Sequence, residues 1–357
     1  MKKWILILAI VLLALLGLKY YTIFANKPPV SREDAPLAER FIRDHLMQDD
    51  GRIATDLTSR KNEYLSETVG LWMEYLVLGD DQKSFDQQVD VLKKYFLTRD
   101  GLVTWEVKNK EKATANAFID DLRIMNALYD AAEKWSDSSY LKLAQKIENA
   151  LVDFQINQHI FVDYVDVKTK GQGQQVTLSY LIPSALNRMK THDNEAYGKT
   201  RALLINAPNT PLGFLPKTYD LPTHSYIFET EANMIDQLYM SYHHAQWGGD
   251  VSKLVGFIRQ TYAREGKLFG RYDLTEGEPI VEFEAVAVYA LGILLAIETE
   301  ENDLAVELYG SMKAMQQTDP NQSYYGGYID VASKSTHPFD NLLALIAERR
   351  GNDEGVF

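Results

Sequence analysis

No cysteine occurs among the 357 residues. Disulfides, thiolate metal sites, a cysteine nucleophile and a lipid-modified cysteine are therefore excluded. Positive charge is also short: 37 Lys and Arg stand against 50 Asp and Glu, a net charge of −13 at pH 7. That balance argues against a polyanion-binding surface and sets nucleic acid aside as a partner. Alternating strand signal is almost missing from Ala35 onward, so a sheet-based fold is not expected. An exported chain without disulfides must be held by its core, and 46% hydrophobic residues over this length can supply one.

What is present begins with an apolar run. Lys2 and Lys3 precede Trp4 to Leu18, followed by Lys19 and the aromatic-rich YYTIFA. Taken narrowly, this is the basic and apolar part of a secretory signal. Taken broadly, residues 4–25 are long enough to span a membrane, with Lys19 snorkelling and Tyr20 and Tyr21 at the outer interface. Cleavage after Ala25 would put bulky Ile23 where a small residue is preferred. The expectation is an uncleaved single-pass anchor over 1–25 and a tether over 26–35. A folded body over 36–350, facing outward, and a tail over 351–357 complete the chain. If the signal were cleaved, the body would be secreted.

Beyond the tether the pattern is helix, turn, helix. Apolar period and breakers predict about twelve helices: 35–48, 63–78, 83–97, 117–135, 138–152, 177–191, 193–205, 229–246, 249–263, 281–298, 301–316 and 337–349. Alternate members differ in kind. MNALYDAA and EAVAVYALGILLA are apolar all round, as buried helices are, whereas FDQQVDVLKKYF and YLKLAQKIENAL are amphipathic. Six such pairs allow an open solenoid or a closed ring of six inner and six outer helices.

The inner members carry polar groups where they begin. These are Tyr64 and Glu67, Asp120 and Asp121, Ser179 and Tyr180, Glu229 and Glu231, Glu282 and Glu284, and His337 and Asp340. In a closed ring these starts would converge on one depression. Nearby aromatics include Trp72, Trp105, Tyr226, Phe228, Tyr272, Tyr324 and Tyr325. Carboxylates flanked by aromatic faces suit a polysaccharide cleft, where stacking holds the rings and paired acids serve the glycosidic oxygen and a water. Acidic first turns are also ordinary helix capping, and 21 tyrosines will put aromatics into any groove.

Three motifs resemble glycoside hydrolase family 8. Ser66-Glu67 in YLSETVGLWMEYL is similar to that family's Ser-Glu-Gly-Gln segment, which bears the general acid. Ala117 to Trp135 resembles its Ala-Thr-Asp-Ala-Asp-Leu helix, and Glu231-Ala232 falls where the family has an Asp-Ala segment with the base. Trp105 and the SYLIP segment, Ser179 to Pro183, are similar to further family positions. Thr68 and Val69 replace Gly-Gln, Ile119 replaces the first aspartate of the helix signature, and Glu231 stands for an aspartate. These departures point to a divergent branch rather than a cellulase.

The resemblance implies an all-α (α/α)6 barrel and inverting hydrolysis of a β-linked exopolysaccharide, endo-acting, in polysaccharide or biofilm turnover. It implies Glu67 as acid, Glu231 as base (Glu229 and Asp236 in reserve) and Asp121 on the central sugar. Substrate contacts are expected from Tyr64, Trp72, Trp105, Asp120, Tyr180, Phe228, Tyr272, Glu284 and Tyr325. No metal or other cofactor is implied. Expected partners are the polysaccharide, the membrane through residues 4–25 and a polysaccharide synthase complex. A non-catalytic carbohydrate-binding or synthesis accessory protein on the same fold is the alternative from another class. A uronyl hydrolase or lyase on a toroid is a third.

Overall fold

The computed structural model describes residues 35–357, and Leu37–Phe357 forms one compact unit. The expected anchor and most of the tether lie outside the described residues. Among the described residues, no helix is long and apolar enough to cross a membrane.

Six helices form the inner set: α2 (Ser66–Gly79), α4 (Phe118–Trp135), α6 (Pro183–Met189), α8 (Met234–Gln246), α10 (Val286–Glu298) and α12 (Pro338–Asp353). Alternating with them are α1 (Leu37–Phe41), α3 (Gln82–Val91), α5 (Ser138–Phe154), α7 (Asn194–Ile205), α9 (Ser252–Glu265) and α11 (Asn302–Ala314). Helices α1 and α3 each run on into a π-helical turn, Ile42–Leu46 and Leu92–Phe96. Neighbouring inner helices touch in sequence except α6 and α8, and α12 packs back on α2, so the ring closes. The 3-10 turn Leu178–Tyr180 extends the short α6 towards α8. A closed ring replaces the solenoid.

Composition explains the sorting. Every residue of α10 from Val286 to Ala296 is buried, which only a helix surrounded by others can achieve. Helix α5 instead buries Tyr140, Leu143, Ala144, Ile147 and Leu151 on one face and exposes Lys142, Gln145, Lys146 and Asn149 on the other. The two sets also begin differently. Asp81, Asp137 and Asp193 cap α3, α5 and α7 with their carboxylates. Helices α2, α4, α6 and α10 enter from extended Leu65, Ala117, Ile182 and Ala285 with no side-chain cap. Their first N–H groups find partners from elsewhere in the chain, Ser66 on the Trp105 carbonyl and Phe118 on the Asp163 carbonyl, and their positive dipole ends stabilise negative charge nearby.

The inner helices start later than periodicity suggests. Residues 63–65 and 231–233 are strands, and 281–285 are extended, each leading directly into its helix. Ten short strands occupy the connections. β1 (Glu63–Leu65), β2 (Glu106–Lys108) and β3 (Glu111–Lys112) form an antiparallel sheet with Glu63 opposite Lys108. β4 (Ile156–Asn157) pairs with β5 (Ile160–Phe161), and β6 (Gln175–Thr177), β7 (Thr218–Asp220) and β8 (Ser225–Ile227) form a second three-stranded sheet. β9 (Glu231–Asn233) pairs with β10 (Arg271–Asp273). Strands of two or three residues are too short to show alternation in sequence, so the all-helical expectation missed them. The C-terminus is not a separate tail: Phe357 stacks on Tyr309 of α11 at 3.9 Å.

Candidate active site

Glu67 occupies the first turn of α2, half-buried among protein groups. Burial drives its proton affinity up, the carboxylates of Asp120 and Asp340 push it further, and Arg123 pulls it back, leaving the pKa at about 7. Asp120, in the first turn of α4, accepts a 2.6 Å hydrogen bond from Ser66 Oγ and lies 3.6 Å from Arg123 Nη1. Burial raises its pKa as well, while Arg123 and Ser66 oppose the rise. Asp340, from α12, accepts the backbone N–H of Ala287 at 3.0 Å and so supplies across the ring the cap that α10 lacks.

Tyr180 lies within electrostatic reach of Asp120 and Glu67. Burial raises its pKa first, and Asp163, Asp120, Asp236 and Glu67 add to the rise, in that order. One phenol therefore feels carboxylates from α2, α4 and α8. Asp236, in the first turn of α8, accepts from Ser179 Oγ at 2.9 Å and pairs with Lys217 at 3.4 Å. Lys217 also holds Glu229 at 2.7 Å. Asp163 accepts both the N–H and the hydroxyl of Thr177, at 2.6 and 2.7 Å, and burial lifts its pKa to about 6. Among the described residues there is no group of three or more His, Asp and Glu suited to holding a metal ion.

Several expected contacts lie elsewhere. Asp121 is 0% exposed, and its two oxygens accept from the Val103 N–H at 3.0 Å and from Asn116 Nδ2 at 3.1 Å. It fastens the loop before α4 and has no face on the cleft. Its neighbour Asp120 instead meets Ser66, Arg123 and Glu67, since adjacent helical residues point about 100° apart. Glu231 lies on β9, paired with Arg271 of β10, outside the set that bears on Tyr180. Trp72 is 1% exposed and stacks on Tyr75, with Arg43 over its ring at 4.9 Å. Tyr64 is buried beneath Arg52, 4.1 Å from its ring. Tyr272 is 0% exposed and accepts the Phe269 N–H at 2.8 Å. Tyr325 packs beside Arg40 of α1, 5.7 Å from the ring centre, and Glu284 is hydrogen-bonded by Tyr289. Asp121, Tyr64, Trp72 and Tyr272 are thus buried in packing, whereas Glu231, Glu284 and Tyr325 are half-exposed.

Other expected positions remain open to solvent. Trp105 is 40% exposed, and its carbonyl accepts the Ser66 N–H at 3.0 Å, which ties an aromatic face beside Glu67. Phe228 is exposed at the end of the β8 loop, and Tyr180 is half-buried. Arg123 and Lys217, outside the expected set, pair with Asp120 and Asp236. A cation three residues after Asp120, inside a helix apolar on two sides, is a signal that could have exposed Arg123. Gly70 makes room for it, because a Cβ there would sit 3.1 Å from Arg123 Cδ.

The profile of glycosyl hydrolases family 8 matches residues 13–196. YdaJ of Bacillus subtilis (strain 168), named as a candidate lipoprotein, is 40% identical over 323 residues, covering 89% of this chain and 88% of YdaJ. A Clostridium perfringens structure described as a novel alpha-amylase superposes with TM-score 0.82 at 25% identity, covering 91% of this chain and 99% of that one. PssZ from Listeria monocytogenes does so with TM-score 0.76 at 28% identity, covering 88% and 96%. An endo-1,4-D-glucanase from Vibrio fischeri shares the fold at 15% identity and TM-score 0.68, covering 89% and 94%.

Proposed function

Because the chain belongs to glycosyl hydrolases family 8, an inverting glycoside hydrolase family, we propose that it cleaves a β-linked exopolysaccharide at the cell surface, with Glu67 as general acid and Asp236 as base. The carrying observation is the environment of Tyr180, on which Glu67, Asp120 and Asp236 all act. Three helices thereby contribute acids to one cluster.

In this scheme Glu67 keeps its proton near neutrality and donates it to the leaving oxygen. Asp236, aimed by Ser179 and Lys217, takes a proton from water on the opposite face of the sugar. Such a pair works at a separation of roughly 6.5–9.5 Å, which leaves space for the water. Asp120, fixed by Ser66, hydrogen-bonds the central sugar in the role first given to Asp121. Trp105 and Phe228 offer the exposed aromatic faces for neighbouring rings.

Anchoring at the membrane fits the apolar stretch 4–25 and the lipoprotein name of YdaJ. Without a cysteine to carry lipid, this chain would be held by that stretch itself. An assembly with a polysaccharide synthase belongs to the same reading. A second reading is an α-linked glucan as substrate, favoured by the superposition on the Clostridium protein described as an alpha-amylase.

The test is reducing-end release by the full chain from α-1,4-glucan, β-1,4-glucan, β-1,4-xylan and the secreted polysaccharide of the source cells. Release from the secreted polymer supports the proposal. Release from α-1,4-glucan alone selects the second reading, and ultraviolet-absorbing ends would indicate a lyase. Binding without release from any polymer would mark a non-catalytic carbohydrate binder.

A further inference from the structure

Two aromatic side chains outside the expected set are open to solvent in the connections that lead into inner helices: Tyr164, 49% exposed, and Phe283, 55% exposed. Each is mounted in the same way. The Tyr164 ring lies against Gly173, where a Cβ would come within 3.1 Å of Cε1. The Phe283 ring lies against Gly270, where a Cβ would collide with Cε2 and come within 2.9 Å of Cζ. Both glycines are buried. The main chain fixes each mount: the Gly173 N–H donates to the Tyr164 carbonyl at 2.9 Å, and the Gly270 N–H to the Phe283 carbonyl at 3.0 Å. A ring seated on a glycine keeps one side on the backbone and leaves the other free, already held before any ligand arrives.

Backbone pairing places both rings beside the acids. Thr104 pairs with Asn116, and Ala115 with Asp166, both antiparallel. In that register Thr104, Asn116 and Val165 point inward and are buried, while Trp105, Ala115 and Tyr164 share the outward face. Tyr164 and Trp105 therefore stand two strand spacings apart, roughly 10 Å. The middle segment runs straight into α4, whose first turn holds Asp120. On the other side, the Gly270 carbonyl accepts the N–H of Met234, the first residue of α8, whose first turn holds Asp236. Phe283 itself stands three residues before α10. Helices α4 and α10 are three places apart in the ring of six, so the two mounted rings flank the acids from opposite sides.

An aromatic face left in water is stabilised by any flat apolar surface laid on it. A pyranose ring offers such a surface in the C–H groups of its face and keeps its hydroxyls at the edge, where the neighbouring carboxylates can accept from them. We propose that Tyr164 and Phe283 are stacking platforms at the two ends of the cleft, which hold one polysaccharide strand on both sides of the bond that the acids attack. The position of that bond rests on the hydrolytic reading; the platforms rest on their glycine mounts. The arrangement sets a minimum length for the substrate: a strand that reaches both rings and is gripped internally, rather than a disaccharide.

The test is calorimetric titration of the full chain carrying Glu67→Gln, so that the strand is not consumed. The probes are cellohexaose, xylohexaose, maltohexaose and the secreted polymer of the source cells. Tyr164→Ala and Phe283→Ala, each added to that background, should weaken binding of the tightest probe roughly tenfold, the size of one stacking contact. Tyr164→Phe keeps the ring and should bind like its parent. Unchanged binding in either alanine variant, no binding of any probe, or a loss in Tyr164→Phe as large as in Tyr164→Ala would overturn the proposal. Ring-dependent binding by a protein that releases no reducing ends before Glu67 is changed would count against the hydrolytic reading and leave the platforms standing.

Discussion

Ser66 Oγ donates a 2.6 Å hydrogen bond to Asp120 Oδ2, joining the first turns of α2 and α4 across the mouth of the ring. The same serine accepts no capping duty of its own; its N–H is held by the Trp105 carbonyl at 3.0 Å. Serine here therefore fixes an acid and an aromatic relative to Glu67. Ser66→Ala should lower kcat on the order of tenfold, with little change in KM, because it frees Asp120 without removing it. Steady-state kinetics on the cleaved polymer measure the split. A change confined to KM would mean that Ser66 serves ground-state binding instead.

The two adjacent aspartates should separate cleanly. Asp120→Asn keeps a hydrogen-bonding side chain at the cleft but loses the charge, and a fall in kcat of roughly 10²-fold with unchanged melting temperature is expected. Asp121→Ala leaves the Val103 N–H and Asn116 without an acceptor and should cost about 1–3 kcal/mol of stability. Thermal unfolding alongside kinetics distinguishes them. The opposite pattern would return Asp121 to the cleft.

The pH profile carries the electrostatics. An acid must be protonated to act, and the pKa of Glu67 is raised to about 7, so kcat/KM should fall as pH rises through that value. The charge of Asp120 helps to raise it, so Asp120→Asn should move this limb to lower pH. Arg123 works the other way, and Arg123→Gln should move the limb to higher pH. Shifts of opposite sign are the signature, read from kcat/KM between pH 5 and 9, a window of about two units on either side of neutral. Coincident profiles would separate the limb from Glu67.

For the base, Asp236→Asn should cost roughly 10²–10⁴-fold in kcat, the usual size of an acid–base contribution. Glu231→Gln removes only a pair with Arg271 on the strand edge and should leave kcat within a few-fold of the parent, as exposed pairs contribute little. Equal losses in the two variants would reopen the assignment.

Helical pairing was legible because an all-apolar segment such as Val286 to Ala296 and an amphipathic one such as Ser138 to Phe154 differ over many residues. The place of Glu67 in the first turn of an inner helix was legible from its motif. What sequence could not settle was direction. Trp72 and Asp121 lie on inner helices whose whole circumference is buried, so periodicity does not say which side meets the cleft. Asp236 and Glu231 are five residues apart across a strand-to-helix boundary that local pattern placed inside one helix. Arg123 was hidden because one of its two partners, the Tyr239 hydroxyl, comes from a different part of the chain, and Asp120 one turn before it was taken as a substrate contact.

The central claim is that Glu67 delivers the proton to the departing oxygen, and one comparison tests it most directly. Glu67→Gln is assayed on the natural polymer and on an oligosaccharide whose leaving group is an acidic phenol. A proton donor matters greatly for the first and little for the second, so the account predicts a loss of roughly 10²–10⁴-fold on the polymer and a much smaller one on the aryl substrate. Full activity on the polymer, or the same large loss on both substrates, would contradict it.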